Sequence, residues 1–230
     1  MMWNGKKKAV TFSFDDGVTQ DIKTIEILNK YGLKATFNLN AGYFGLKGAE
    51  DANGARRDKV LASQVKEIYK GHEIAVHTLT HPNLTLLEEE TIIRQVELDR
   101  KLLEELCGYE IVGMAYPCGG VNNDDRVAEI IRKNTPIRYA RTITSTHNFD
   151  LQENLLRFNP TVHHVEQDKL AELIEEFLSK ETDEAQLFYF WGHTYEFDWK
   201  SENWEKFENV CKKLAGRDDI FYGTNKEVLL

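Results

Sequence analysis

The sequence predicts an α/β protein built on a (β/α) barrel of seven or eight units, either complete or incomplete. Short β-forming runs alternate with amphipathic helical stretches, a pattern typical of parallel strands joined by crossover helices. The length of 230 residues suits one barrel domain, which we expect to span residues 1–230. Hydrophobic residues make up 41% of the chain, which is enough for a core without disulfide bonds.

The strands are predicted from short runs rich in β-branched and aromatic residues between turn signals. They are expected at residues 8–14, 34–40, 72–78, 111–117, 137–143, 155–162, 186–193 and 220–223. The fourth run ends at Pro117, because proline cannot donate to a strand ladder. Residues 41–60, with four glycines and many charges, form either a rim loop over a site or a surface insertion.

The helices are predicted from apolar residues at helical spacing. The first contains Ile22, Ile25 and Leu28 and should stop at Gly32. Later helices are expected near residues 61–70, 86–106, 124–131, 168–179 and 202–215, with a short last helix after residue 224. Three helix starts carry capping signals, namely Thr85 with Glu88, Thr224 with Glu227, and Asp124 or Asp125.

The composition narrows the class of protein. Lys and Arg total 29 against 38 Asp and Glu, and the formal charge of -9 argues against nucleic acid as a partner. Three scattered cysteines without a CxxC pair fit a reducing compartment. The N-terminal residues lack the apolar stretch of a secretory signal, and no window approaches 18 apolar residues. We therefore expect a cytoplasmic protein that does not enter the membrane, and the oligomeric state is not predicted.

Chemically active residues follow several predicted strands at their carboxyl ends, where barrels place their active sites. These residues are Asp15 and Asp16 after the first strand, His77 and His81 after the third, Tyr116, Pro117 and Cys118 after the fourth, and Trp191 and His193 on the strand near residue 190. Acids, imidazoles and a backbone turn would therefore meet at one mouth.

A histidine pair four residues apart, His77 and His81, could bind a metal with neutral imidazoles. Adjacent side chains alternate in direction along an extended chain, so one of Asp15 and Asp16 could bind the metal while the other stays free. Two histidines and one carboxylate leave a coordination position for water, as catalytic zinc requires. Taken separately, the aspartates could instead form a turn or a helix cap, and His81 could belong to an ordinary loop.

The sequence resembles the polysaccharide deacetylases of the NodB-homology group, carbohydrate esterase family 4. The resemblance rests on residues 11–17 (TFSFDDG), 34–37 (KATF) and 71–81 (GHEIAVHTLTH), and in order and spacing it covers about residues 8–225. It implies a deformed (β/α) barrel and metal-dependent removal of N-acetyl groups from amino sugars, their oligomers or polysaccharides. The resemblance makes Asp15 the general base and makes Asp16, His77 and His81 the metal ligands.

The same resemblance assigns an oxyanion-binding backbone N–H to Cys118 and the general acid to His193. The substrate would contact Tyr116, Pro117 and Trp191, although Trp191 could equally be core. The family-typical metal is Zn²⁺, and the ligand set also suits Co²⁺, Ni²⁺ or Mn²⁺.

The chain departs from the family pattern in the fourth strand, where the usual arginine that holds the catalytic aspartate is absent. Arg141, near the end of the fifth predicted strand, is our hypothesis for a substitute, and a surface arginine is the alternative.

His163 and His164 are rivals of His193 for the acid role, and His72 is interpreted as structural because it starts a strand at the opposite rim. Tyr195, Glu196 and Asp198 follow His193 closely and either orient it or are surface residues. Two other functions stay open: an allantoinase-type hydrolase of cyclic ureides or imides, and a non-catalytic carbohydrate-binding barrel.

Overall fold

The computed structural model describes residues 2–230, which form one parallel sheet surrounded by helices. The strands are β1 (Lys8–Asp15), β2 (Ala35–Leu39), β3 (Glu73–Val76), β4 (Gly113–Ala115), β5 (Tyr139–Arg141), β6 (Val162–His163), β7 (Gln186–His193) and β8 (Ile220–Tyr222). The helices are α1 (Asp21–Lys30), α2 (Val65–Ile68), α3 (Glu89–Cys107), α4 (Asp125–Asn134), α5 (Gln167–Ser179), α6 (Asn203–Leu214) and α7 (Asn225–Leu229).

The sheet runs in the order β5-β4-β3-β2-β1-β7-β6, with β8 paired to the first residues of β1. Every strand pair is parallel, and an isolated parallel bridge joins Arg141 to Phe158, between β5 and the segment before β6. The sheet therefore curls into a partial barrel, and the predicted fold class is confirmed. The register sets Asp15 of β1 beside His193 of β7 at the carboxyl edge.

Aromatic side chains fill the core beneath this edge. Phe14 packs against Phe37, Phe190 and Phe207 with ring centroids 5.7 to 6.0 Å apart. All eight residues of β1 are buried, as expected for a central strand covered on both faces. Each fully buried phenylalanine contributes roughly 1.5–3 kcal/mol, so the central strands form a rigid base for the residues at their ends.

Most predicted helix ends are confirmed. Gly32 follows α1 with a φ of 66°, the left-handed conformation that glycine adopts most readily. The Asp124 side chain accepts a hydrogen bond from Val127 N at 2.7 Å and caps α4. Thr224 and Glu227 form the predicted capping box at α7.

Two local predictions are wrong. Thr85 does not cap α3, because its hydroxyl donates to Asn83 Oδ1 within a separate 3-10 turn, and the helix begins only at Glu89. The strand expected at residues 155–162 is reduced to Val162–His163. The first residues of the predicted range, Leu155–Arg157, form a 3-10 turn instead, and Pro160 has no N–H to donate to a strand ladder. Among the described residues, no helix has both the length and the apolar character needed to cross a membrane.

Candidate functional site

A cavity opens at the carboxyl edge of the sheet and brings together most of the residues that the sequence singles out. Its lining residues are Asp15, Asp16, Arg57, His77, His81, Tyr116, Cys118, Gly119, Ile143, Trp191, His193 and Tyr195. Acids and imidazoles from β1, β7 and the loop after β3 therefore share one wall, as expected for parallel strands whose ends meet at the same edge.

Left-handed backbone conformations shape the wall of this cavity. Of the seven non-glycine residues with positive φ among residues 2–230, three line this cavity, namely Asp16 (85°), His81 (55°) and Cys118 (71°), and a fourth, Thr78 (66°), directly follows His77. Such conformations are costly and concentrate at functional sites. The expected alternation of Asp15 and Asp16 is wrong for this reason, because Asp16 lies beyond the extended strand and both carboxylates reach the cavity.

Asp16, His77 and His81 offer three ligand atoms within 4.8 Å of one another. Oδ1 of Asp16 lies 3.6 Å from Nε2 of His81 and 4.0 Å from Nε2 of His77. The ligand atoms of a tetrahedral zinc site with bonds of about 2.0–2.1 Å are roughly 3.4 Å apart, so these separations need only a small contraction. The donor set of one carboxylate and two imidazoles fits a divalent first-row cation.

His77 is held in the form that a metal ligand requires. Its Nδ1 lies 2.9 Å from the carbonyl oxygen of Ala115, a contact that leaves the lone pair on Nε2, which faces the aspartates. Burial lowers the pKa of His77 to about 4, so the ring is neutral at neutral pH. Its backbone N–H donates to Asp99 Oδ2 at 3.1 Å, which ties the end of β3 to α3.

Asp15 lies at the end of β1 and is almost completely buried. Arg141 Nη2 lies 2.6 Å from its Oδ1 and 2.5 Å from its Oδ2, and Asn38 donates to Oδ1 at 2.8 Å. Burial alone would raise the pKa of Asp15, but the positive charge of Arg141 and the nearby His77 and His193 hold it below its ordinary value. Asp15 is therefore a carboxylate at neutral pH.

Arg141 is a buried residue of the site rather than a surface arginine. Its side chain is fully buried, and its guanidinium lies 4.3 Å from the ring centroid of Trp191. Arg141 also donates from Nη1 to the carbonyl oxygen of Thr142 at 2.9 Å. The guanidinium therefore reaches Asp15 from β5 at the position that the sequence hypothesis requires.

His193 faces the cavity with a carboxylate behind it. Its Nδ1 lies 3.2 Å from Oε1 of Glu196, and its backbone N–H donates to Oε2 of the same residue at 3.3 Å. Burial opposes protonation, but Glu196, Asp16 and Asp15 outweigh it and raise the pKa of His193 to about 9. His193 is therefore protonated at neutral pH and lines the cavity.

Other histidines and acids near His193 have different surroundings. His164 hydrogen-bonds Oε2 of Glu196 from the side away from the cavity lining, and Nε2 of His163 lies 3.5 Å from that oxygen. Tyr195 packs against the His193 ring at 5.2 Å between centroids, whereas the exposed Asp198 accepts hydrogen bonds from two side chains outside the cavity. His72 is structural as predicted, since its Nδ1 accepts from the backbone of Ala35.

The predicted substrate-contacting residues occupy different depths. Tyr116 and Trp191 line the cavity, and the Tyr116 hydroxyl donates to the carbonyl oxygen of Leu156 at 2.8 Å. Pro117 is buried and does not contribute to the lining, while Cys118 does. Cys118 Sγ donates to the carbonyl oxygen of His81 at 3.3 Å, which links the two loops.

Three residues of the site were not singled out from the sequence. Lys59 Nζ donates to the backbone oxygen of Asp16 at 2.6 Å and lies 3.6 Å from its Oδ1. Burial would raise the pKa of Asp16, but Lys59 and the nearby histidines keep it below its ordinary value. Arg57 lines the cavity with its guanidinium 4.2 Å from the Tyr195 ring centroid, and Asn38 supports Asp15 from β2. The only sequence signal for Lys59 and Arg57 is that both belong to the long, charged segment at residues 41–60, which borders the site.

The solved structures that are similar to this chain include two members of carbohydrate esterase family 4. A family 4 carbohydrate esterase from Streptomyces lividans, in complex with acetate, superposes with a TM-score of 0.57 and 15% identity, covering 95% of this chain and 93% of that one. A wild-type family 4 pseudoenzyme from Bacillus anthracis gives a TM-score of 0.57 and 17% identity, covering 97% and 66%. At these identities the likeness concerns the fold, and it confirms the predicted deformed barrel.

Sequence comparison points to the same family. The chain is 27% identical over 124 residues to the peptidoglycan-N-acetylmuramic acid deacetylase PdaC of Bacillus subtilis. That match covers 52% of this chain and only 23% of the relative, so the chain spans less than a quarter of that protein's length. The polysaccharide deacetylase family pattern matches residues 3–135, which is more than half of the 230 residues. The chain therefore belongs to the polysaccharide deacetylase family.

Proposed function

We propose that this chain is a metal-dependent hydrolase of non-peptide carbon–nitrogen bonds that removes N-acetyl groups from amino sugars, their oligomers or polysaccharides. The observation that carries the proposal is the approach of Asp16, His77 and His81 to within 4.8 Å beside Asp15 and His193 in one cavity. Family membership and the relative named as a peptidoglycan deacetylase support the substrate class.

Asp16, His77 and His81 are the residues that would hold the divalent cation, with Zn²⁺ preferred and Co²⁺, Ni²⁺ or Mn²⁺ as alternatives. When bound, the cation polarises the amide carbonyl and makes water more acidic. The neutral His77 ring and the ionised Asp16 are both ready to bind it without first losing a proton.

Asp15 serves as the general base in this proposal. Its carboxylate takes a proton from the water whose oxygen attacks the acetyl carbonyl carbon. Arg141 and Asn38 hold the carboxylate in place, and Arg141 acts as a positioning residue that replaces the arginine missing from β4. The Cys118 backbone N–H stabilises the oxyanion that forms, so the cysteine side chain is incidental.

His193 serves as the general acid. It is protonated at neutral pH and delivers its proton to the amine nitrogen as the carbon–nitrogen bond breaks, which leaves acetate and a free amino sugar. Glu196 orients the ring from behind through the contact with Nδ1. Trp191 and Tyr116 provide an aromatic wall for the acetyl group or the sugar ring.

The test is metal analysis of the purified protein together with acetate release from N-acetylglucosamine oligomers and cell-wall fragments containing N-acetylmuramic acid. Bound metal with acetate release supports the proposal. Metal-independent turnover of ring amides, or sugar binding without turnover, would reject it. Sugar binding without turnover has to be tested because one structural neighbour is a pseudoenzyme.

Two variants assign the roles. Asp15→Asn should keep the metal and lose acetate release by about 10²-fold or more, as expected for removal of a general base. His77→Ala should lose the metal and the activity together. Undiminished acetate release from Asp15→Asn would reject Asp15 as the base.

A further inference from the structure

A second cluster of metal-ligating side chains includes the proposed acid, His193, and two residues behind it. His163, His193 and Glu196 offer three ligand atoms within 4.8 Å of one another. Nδ1 of His193 lies 3.2 Å from Oε1 of Glu196, and Nε2 of His163 lies 3.5 Å from Oε2. These two separations are close to the roughly 3.4 Å expected between ligand atoms around tetrahedral zinc.

Strands β6 and β7 position this cluster, whereas the first ligand set follows strands β1 and β3. His163 belongs to β6 and is paired in register with Trp191 of β7, while Glu196 follows directly on the end of β7. The carboxylate of Glu196 is largely buried and is also hydrogen-bonded by His164, a partner of the kind that fixes a metal-binding carboxylate.

Two buried atoms of the cluster, one on His193 and one on Glu196, face each other closely enough to share a cation. Nδ1 of His193 is buried and faces Oε1 of Glu196 at 3.2 Å. A proton or a cation held between these two atoms satisfies both of them. The donor set of two imidazoles and one carboxylate is the same as that of Asp16, His77 and His81.

We propose that His163, His193 and Glu196 form a second zinc site, which fills when Zn²⁺ is in excess and inhibits the enzyme. Zinc at Nδ1 displaces the proton from that nitrogen. The proton left on Nε2 could then be lost only by forming an imidazolate, so His193 can no longer protonate a leaving amine. The predicted inhibition rests on the proposed acid role of His193, whereas the predicted binding of zinc does not depend on that role.

Equilibrium dialysis against ZnCl₂ followed by metal analysis tests the binding. The wild-type chain should bind two zinc ions, His163→Gln one, and His77→Ala one, which would occupy the second site. His147→Gln is the matched control, because it removes an imidazole that contacts a different carboxylate, that of Glu166, and it should still bind two. One zinc in the wild type, or two in His163→Gln, would overturn the proposal.

Acetate release tests the inhibition separately. Excess zinc should lower the wild-type and His147→Gln rates by about 10²-fold, the usual contribution of a general acid, whereas the rate of His163→Gln should not fall relative to that variant's own rate without excess zinc. Two bound ions without inhibition would keep the site and reject the acid role of His193. Inhibition that persists in His163→Gln would overturn the inhibitory role of the site.

A measurement on the wild-type chain covers the case in which His163→Gln does not fold. Diethylpyrocarbonate modifies accessible imidazoles, and peptide mass spectrometry locates the modification. A second equivalent of zinc should protect His163 and leave His147 reactive. Equal modification of His163 with one and with two equivalents would also reject the site.

Discussion

Replacing Arg141 by methionine should destabilise the chain strongly, because it leaves the Asp15 carboxylate buried without its cation. The two side chains are 0% and 2% exposed, with Nη2 2.5 Å from Oδ2. Charge centres roughly 4 Å apart attract by about 4 kcal/mol at an effective dielectric constant near 20. Removing one partner of a buried pair costs about 3–5 kcal/mol in measured cases, so we expect Arg141→Met to lower the free energy of unfolding by a similar amount.

Urea denaturation followed by circular dichroism measures this loss, with a chelator present so that bound metal does not contribute. The matched control is Arg157→Met, because Arg157 Nη1 lies at the same 2.5 Å from Asp125 but the side chains are 34% and 90% exposed. An exposed pair contributes about 0–1 kcal/mol. Equal losses in the two variants would refute the reasoning, because burial would then not determine the cost.

A double variant isolates the pair. Arg141→Met combined with Asp15→Asn removes both charges, so it should lose less free energy of unfolding than the sum of the two single variants. Contacting residues of this kind couple by about 0.5–3 kcal/mol. Strict additivity would mean that the short Arg141–Asp15 contact contributes nothing of its own.

Three further changes can be followed by unfolding experiments. Gly192→Ala should cost about 1–3 kcal/mol, because the new Cβ would lie 2.0 Å from Cδ2 of His164, whereas Gly119→Ala meets no atom within 4 Å; equal unfolding midpoints would contradict this. Burial raises the pKa of Asp21 to about 7, so the folded chain holds a proton that the unfolded chain releases near pH 4. Wild-type stability should therefore fall relative to Asp21→Asn by up to about 4 kcal/mol as the pH rises from 4 to 8, and parallel stability profiles would refute this. Thr224→Ala removes the capping box of α7 and should cost about 1 kcal/mol in urea denaturation, so an unchanged midpoint would show that the cap contributes nothing.

Periodicity and turn residues were sufficient to predict most of the fold. The strand predicted at residues 186–193 matches β7 in full, and the cap at Asp124 and the capping box at Thr224 are present. These features depend on neighbours within a few residues along the chain, which a sequence displays directly. The error at Thr85 has a local and a tertiary cause, since the hydroxyl donates to Oδ1 of the nearby Asn83 and to the carbonyl oxygen of the distant Val121.

By itself, the sequence determined which residue types reach the carboxyl edge of the sheet, because the end of each strand is a local property and parallel strands deliver their last residues to one side. Only the tertiary structure decided which of these residues touch. Arg141 reaches Asp15 from β5 over a sequence separation of 126, and Lys59 reaches Asp16 from the loop after β2. Such contacts depend on sheet order, curl and left-handed turns, whose free energy arises from packing between distant segments and leaves no periodic trace in the chain.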